Sequence, residues 1–346
     1  MSIRFGCQLV TYGDVAKTLE YARISEKAGF DVISLPDHLF HPLDKRFLKE
    51  PPWDAYVVLG AIGSTVKRVK LMPAVSDALR RHPATIAHSI ATLDRLTGGR
   101  AVLGLGAGEA FNLNPLEDVA WDKPVTILEE AVKVVKLLWG SSKDKPAYFE
   151  GKYFKLKGAH LSLKPLQKPE PPIYLGGYGR KMKRLVAELG CGWLPWLETP
   201  ETYERGLAEI RGMGGSRVPP AVMVPTCISR DGERAERIAA PRIKVALCLR
   251  RRLLKELGYN RLADGSTDLW RASLSDEELS RMYGLAEDVP EKLVKEVAIL
   301  GEPREAVAAV ERYVKAGVEL LIVIPSIQNF EETIEAYERA IIPCFK

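Results

Sequence analysis

Short apolar runs alternate with longer amphipathic stretches along the whole chain. Runs at 3–9, 32–36, 70–75, 101–105, 173–176, 192–196, 222–228 and 319–324 are strand candidates. Each is followed by a stretch with helical spacing, at 14–28, 54–66, 84–97, 125–139, 179–189, 201–213, 233–257 and 330–341. A further helix at 304–316 leads into the last strand. Two of the helices end in Lys-Ala-Gly, at Gly29 and Gly317, directly before an apolar strand. Glycine there is the expected left-handed stop signal.

Eight strand-then-helix units predict an α/β fold, a (β/α)8 TIM barrel; a doubly wound open sheet is the competing arrangement. Two spans are longer than a simple crossover. Within 141–171, the stretch 148–154 reads as a hairpin around Gly151. Span 230–303 contains Asp264-Gly265-Ser266 and Pro290 and reads as a small helical insertion. The expectation is one domain over 1–346, with insertions after strands 4 and 7 and no linker.

Composition narrows the function classes. The 346 residues include 50 basic and 45 acidic side chains, a net charge of +5. That is too small an excess to signal a nucleic-acid partner unless it is clustered. No run of 18 apolar residues points to a membrane span. Five scattered cysteines with no C-x-x-C pair fit reduced thiols, and the N-terminus has no signal-peptide pattern, so a cytoplasmic location is expected. The charge is local: residues 230–256 carry nine basic and four acidic side chains, an excess equal to that of the whole chain. This segment is either a solvated helix face or a patch that attracts an anionic cofactor tail.

A barrel places its chemistry at the C-terminal ends of its strands. After strand 2 stand Asp37 and His38, followed by Phe40 and His41. Histidine exchanges protons near neutral pH, and a carboxylate can hold its tautomer; a helix-capping Asp37 beside a surface His38 is the structural alternative. After strand 4, Gly104, Gly106 and Gly108 alternate and Glu109 follows. The order departs from G-x-G-x-x-G, and a stripe of glycines lets a flat ligand or another backbone come close. Small residues Ala74, Val75 and Ser76 after strand 3 fit a close ligand contact. After strand 5, Gly176-Gly177-Tyr178-Gly179 enters a helix beside Arg180 and Lys181, a turn suited to a phosphate. Trp193 and Trp196 after strand 6 belong either to a pocket wall or to the core. No H-E-x-x-H, Cys/His cluster, G-x-S-x-G or phosphate-loop motif is present, and His38-x-x-His41 lacks a third ligand, so no catalytic metal is expected.

Taken together, 35–39 (Leu-Pro-Asp-His-Leu), 81–84 (Arg-His-Pro-Ala), 93–100 (Leu-Asp-Arg-Leu-Thr-Gly-Gly-Arg), 104–110 (Gly-Leu-Gly-Ala-Gly-Glu-Ala), 172–177 (Pro-Ile-Tyr-Leu-Gly-Gly) and 192–195 (Gly-Trp-Leu-Pro) resemble the bacterial luciferase-like superfamily of flavin and deazaflavin barrels. The likeness runs through 1–215 and more loosely through 304–342. Asp37-His38 with Gly108-Glu109-Ala110 resembles the coenzyme F420-dependent group, which includes methylenetetrahydromethanopterin reductases; the FMN monooxygenases tend to carry Glu-His-His after strand 2. The resemblance implies that Asp37 and His38 lie near the ring, with His38 handling a proton and Glu109 as partner acid. It implies a bulge with a non-prolyl cis peptide at Ala74-Val75 backing the ring, and Gly176 and Gly177 at the cofactor tail. It implies hydride transfer between coenzyme F420 and a reduced pterin, alcohol or ketone, in a homodimer. The alternatives are an FMN-dependent monooxygenase and a cofactor binder without turnover. Two departures, no Trp between His38 and Trp53 and Pro195-Trp196-Leu197 in place of a Thr-Ser-Gly loop, argue against a sugar-phosphate substrate.

Overall fold

The computed structural model describes residues 3–10, 13–40, 52–119 and 121–346. His41 lies outside them. Eight parallel strands form the centre: β1 Arg4–Gln8, β2 Val32–Leu35, β3 Lys70–Pro73, β4 Leu103–Gly106, β5 Ile173–Gly176, β6 Gly192–Trp193, β7 Ala221–Ile228 and β8 Leu320–Pro325. Beyond a bulge, Ser76–Asp77 resumes β3 and pairs with β4. One ladder runs β7-β8-β1-β2-β3 and a second runs from Ser76–Asp77 through β4 and β5 to β6.

Isolated parallel bridges join the two ladders at both seams. Leu71 pairs with Ala101, where Val102 N–H donates to the Leu71 carbonyl at 2.9 Å. Trp193 pairs with Pro220 and Trp196 with Met223, where Met223 N–H donates to the Pro195 carbonyl at 2.9 Å. The ring is therefore closed, and the open doubly wound sheet is set aside. Side chains alternate as a closed barrel requires. Val32, Met72, Val102, Tyr174, Met223 and Ile322 fill the lumen, while Ile33, Leu71, Leu175, Leu321 and Val323 face the outer helices.

Those helices are α1 Val15–Lys27, α2 Ala55–Thr65, α3 Pro83–Leu96, α4 Pro124–Gly140, α5 Arg180–Leu189, α6 Pro200–Gly212, α7 Pro303–Lys315 and α8 Phe330–Ala336. Gly29 and Gly317 adopt φ of +95° and +93° just past α1 and α7, as the stop signals predict. The hairpin pairs Ala147–Glu150 with Lys155–Ala159, and the Glu130 carboxylate accepts the N–H groups of Lys152, Tyr153 and Phe154 at its turn.

Between β7 and α7 the chain forms helices Gly232–Cys248, Arg251–Glu256, Asn260–Gly265, Asp276–Glu287 and Glu291–Glu296, then a short strand Ile299–Gly301 against the end of β7. Their apolar core takes in Phe111, Leu197 and Cys227 from the barrel, which seats this helical layer on the C-terminal mouth. The continuous helix expected over 233–257 is interrupted: it stops at Cys248 and restarts at Arg251, because Arg250 turns inward. The last expected helix likewise changes character, continuing past α8 as one π turn, Tyr337–Ile341. No helix among the described residues is long and apolar enough to cross a membrane.

Candidate active site

The strand ends and the helical layer enclose a cavity of about 1310 Å³. Of the residues read at the strand ends, Asp37 and His38 after β2, Ala74, Val75 and Ser76 at the β3 bulge, Gly106, Gly108 and Glu109 after β4, and Gly176, Gly177 and Tyr178 after β5 border it, whereas Phe40 and Gly104 do not. Their individual roles differ from the simplest reading of the motifs.

Asp37 is buried and fully engaged. Its Oδ2 accepts from Ser76 Oγ at 2.6 Å and from Arg81 Nε at 3.2 Å, and its Oδ1 accepts from Arg81 Nη2 at 3.2 Å. Arg80 Nη2 stands 3.5 Å from Oδ2 and also donates to the Asp37 carbonyl. A buried carboxylate needs such partners to offset its lost hydration. Asp37 therefore ties the ends of β2 and β3 together through Ser76 and two arginines.

His38 and Glu109 are the titratable pair facing the cavity. His38 Nδ1 and Glu109 Oε2 are 3.6 Å apart, with side chains 25% and 27% exposed, so both reach the cavity space. Burial pushes the Glu109 carboxyl up to about 7, with Arg80 opposing the rise and Asp77 adding to it. A carboxyl poised there exchanges protons at neutral pH, which is what an acid–base role requires. The His38 ring leans on Phe111, with centroids 5.3 Å apart.

The bond between Ala74 and Val75 is cis, as the family resemblance implied. The glycines of β4 and β5 make room for this bulge. A methyl group on Gly104 would lie 2.2 Å from the Pro73 carbonyl, and one on Gly106 would lie 2.7 Å from Val75 Cγ2. One on Gly176 would lie 3.2 Å from Val75 Cγ1. The stripe thus admits backbone and the Val75 side chain, and Val75 itself forms the wall. Gly108, at φ +87°, serves the turn into Glu109.

At the β5 end, Gly179 caps α5 without a side-chain hydrogen bond, and Arg180 and Lys181 follow. Trp193 and Trp196 divide between the two alternatives. Trp193 is buried, stacks on Tyr203 at 4.9 Å and donates to the Gly177 carbonyl at 2.9 Å. Trp196, only partly buried, lines the cavity.

Three contributors carry no motif of their own. Asn112 joins His38, Glu109 and the backbone after β2. Gln8, at the end of β1, has a buried Oε1 at the cavity wall without a hydrogen-bond partner among the described residues. Arg250 reaches from the helical layer to pair with Glu198 at 2.6 Å, donates to the carbonyls of Trp196 and Leu197, and lies 3.6 Å over the Tyr178 ring. Burial raises the Tyr178 hydroxyl to about 12, with Arg250 opposing.

Arg250 also corrects the basic-patch reading, since it is an internal ion-pair member. Other cations of the segment pair with acids, several of them outside it: Lys244 with Glu291, Arg234 with Glu332 and Lys255 with Asp264. Arg242, Arg250 and Arg252 are the cations of the segment that line the cavity.

A closed (β/α)8 barrel with a titratable His–Glu pair and a bulged, apolar wall at its C-terminal mouth defines an enzyme-like cavity rather than a structural barrel. The sequence profile of the luciferase-like monooxygenases matches residues 1–320, and the chain belongs to that family. It is 28% identical to the 5,10-methylenetetrahydromethanopterin reductase of Archaeoglobus fulgidus, over 99% of this chain and 100% of that one. Among solved structures, an F420-dependent secondary alcohol dehydrogenase in complex with an F420-acetone adduct superposes with a TM-score of 0.82 at 24% identity, over the full length of both chains. The FMN-bound oxygenating constituent of 3,6-diketocamphane monooxygenase of Pseudomonas putida superposes with a TM-score of 0.73 at 18% identity, over 100% of this chain and 99% of that one.

Proposed function

We propose that this chain is a coenzyme F420-dependent oxidoreductase that moves hydride between a deazaflavin ring and a small organic substrate, a reduced pterin, an alcohol or a ketone. The observation that carries this reading is the His38–Glu109 pair placed beside the Val75 wall. The full-length likeness to a methylenetetrahydromethanopterin reductase and the F420-dependent dehydrogenase fold support it.

The residues present fit such a group. Val75 offers a flat apolar face from which Gly106 and Gly176 have removed side chains. The uncapped start of α5 offers amide N–H groups to a phosphate, with Arg180, Lys181 and Arg252 at the same cavity wall. Gln8 Oε1 offers an acceptor that lacks a partner among the described residues. Ala74, Val75, Ser76, Gly177 and Tyr178 would hold the ring and its tail. The chemistry supplied by a bound deazaflavin is hydride transfer at a ring carbon.

The protein's own work is placement, exclusion of water and control of one proton. Asp37, with Ser76, Arg80 and Arg81, fixes the relative position of the β2 and β3 ends. Glu109 takes or gives the proton at neutral pH, and His38 contacts the substrate oxygen. The helical layer closes the cavity from above with Leu249, Leu253 and Leu274. After β6, Pro195, Trp196 and Leu197 carry no hydroxyl and Arg250 occupies the carbonyls of Trp196 and Leu197, which argues against a sugar-phosphate substrate.

Anaerobic incubation with coenzyme F420 and a panel of secondary alcohols and reduced pterins tests the reading. Reduction of F420 is the expected result. Oxygen consumption with reduced FMN, and no reaction with F420, would overturn it in favour of a monooxygenase.

A further inference from the structure

We infer that Asn112 sets the tautomer of His38, keeping the proton of the neutral imidazole on Nε2 and leaving Nδ1 as an acceptor. The inference rests on the reading above that His38 meets the substrate oxygen.

Asn112 sits in the short turn Ala110–Leu113 that follows Glu109, and it is 2% exposed. An amide side chain has one accepting end and one donating end, and its hydrogen-bond partners decide which is which. Here the partners leave no choice. The backbone N–H groups of Leu39 and Phe40 converge on Asn112 Oδ1 at 2.9 and 3.1 Å. Reversing the amide would bring an NH2 group against two N–H donors. The NH2 group therefore points the other way, where Nδ2 lies 3.1 Å from His38 Nδ1 and 3.4 Å from Glu109 Oε2. One amide hydrogen is available to each.

Facing a fixed donor, His38 Nδ1 must accept. A neutral imidazole carries a single N–H, so Nε2 holds it. Glu109 does not compete for Nδ1, because its nearest oxygen is at 3.6 Å, beyond hydrogen-bond distance, and is itself served by the same amide. A carboxylate in the place of Asn112 would do the reverse, holding a proton on Nδ1 and making Nε2 an acceptor. The asparagine thus assigns unlike tasks to the pair: the neutral His38 meets a ligand oxygen as a hydrogen-bond donor, and proton acceptance falls to Glu109. Asn112 is a positioning residue that acts through His38. The anchor at Leu39 and Phe40 is what keeps the amide from turning.

The test is nitrogen-15 NMR of histidine-labelled full-length protein without cofactor, at a pH where the imidazoles are neutral. The His38 signals are identified by their loss in His38→Gln. The expected wild-type pattern is a protonated Nε2 and an unprotonated Nδ1. Asn112→Asp keeps an oxygen for Leu39 and Phe40 and replaces only the donating end, so the expected change is a shift of the proton to Nδ1. A wild-type Nδ1–H tautomer, or an unchanged tautomer in folded Asn112→Asp, overturns the inference; if that variant does not fold, the wild-type spectrum decides. The spectra need no deazaflavin, so an Nε2–H tautomer in a protein that ignores F420 would sink the proposed function and leave the assignment standing. With F420 turnover in hand, Asn112→Asp is expected to lower kcat roughly 10–100-fold with a smaller change in KM.

Discussion

At the residue scale the proposed function divides its work among four polar groups, Asp37, His38, Glu109 and Asn112. Asp37 is saturated by Ser76, Arg80 and Arg81 and holds geometry, whereas Glu109 has one amide partner and a carboxyl raised to about 7. If Glu109 moves the proton while His38 holds the substrate oxygen, Glu109→Gln and His38→Ala should each cut turnover by about 10²–10⁴, measured as kcat with F420. Near-wild-type rates in both would remove them from the mechanism. The raised carboxyl also has a stability consequence of definite sign. Between about pH 4.5 and 7 the folded protein keeps the Glu109 proton that the unfolded chain has lost, so this group makes stability fall as pH rises through that window and stay flat above it. Glu109→Gln removes the penalty. Urea unfolding should show it roughly 1–3 kcal/mol more stable than wild type at pH 8 and about equal at pH 4. A loss of stability at pH 8 would contradict the assignment. Of these groups, Asp37, His38 and Glu109 were legible in the sequence because each ends an apolar strand. Asn112 was not, because its task depends on meeting a histidine 74 positions away.

At the element scale the β3 bulge and the glycine strands form one unit. Val75 can project from its cis-linked bulge because Gly106 and Gly176 leave space beside it. Gly106→Ala should therefore displace Val75, lowering stability by about 1–3 kcal/mol in thermal or urea unfolding and weakening cofactor binding in the same protein. Unchanged affinity would mean that Val75 does not back the cofactor. The glycine spacing announced a close approach, but only the folded strands show that the approaching partner is the neighbouring bulge. The barrel strands and their helices were read from periodicity to within a few residues, since local patterning reflects which face is buried. The break between Cys248 and Arg251 was not readable. Apolar residues Leu247, Leu249, Leu253 and Leu254 continue across it, and its cause is tertiary: Arg250 leaves the helix line to meet Glu198, the carbonyls after β6 and the Tyr178 ring.

At the scale of the whole molecule, much of the charge that stood out in residues 230–256 is paired across elements, and Arg242, Arg250 and Arg252 border the cavity. Exposed pairs of this kind add little stability. Replacing both Arg242 and Arg252 by Gln should weaken binding of an anionic-tailed deazaflavin several-fold at low salt and flatten its salt dependence, measured by titration at two ionic strengths. Equal slopes would remove them from the cofactor's path. Structures that superpose on this chain hold either F420 or FMN, so the fold alone does not choose the cofactor. Parallel fluorescence titrations of the protein with coenzyme F420 and with FMN test that choice most directly. Saturable quenching with F420, at concentrations where FMN produces little or none, is the predicted result. Binding of FMN with no response to F420 would contradict the account.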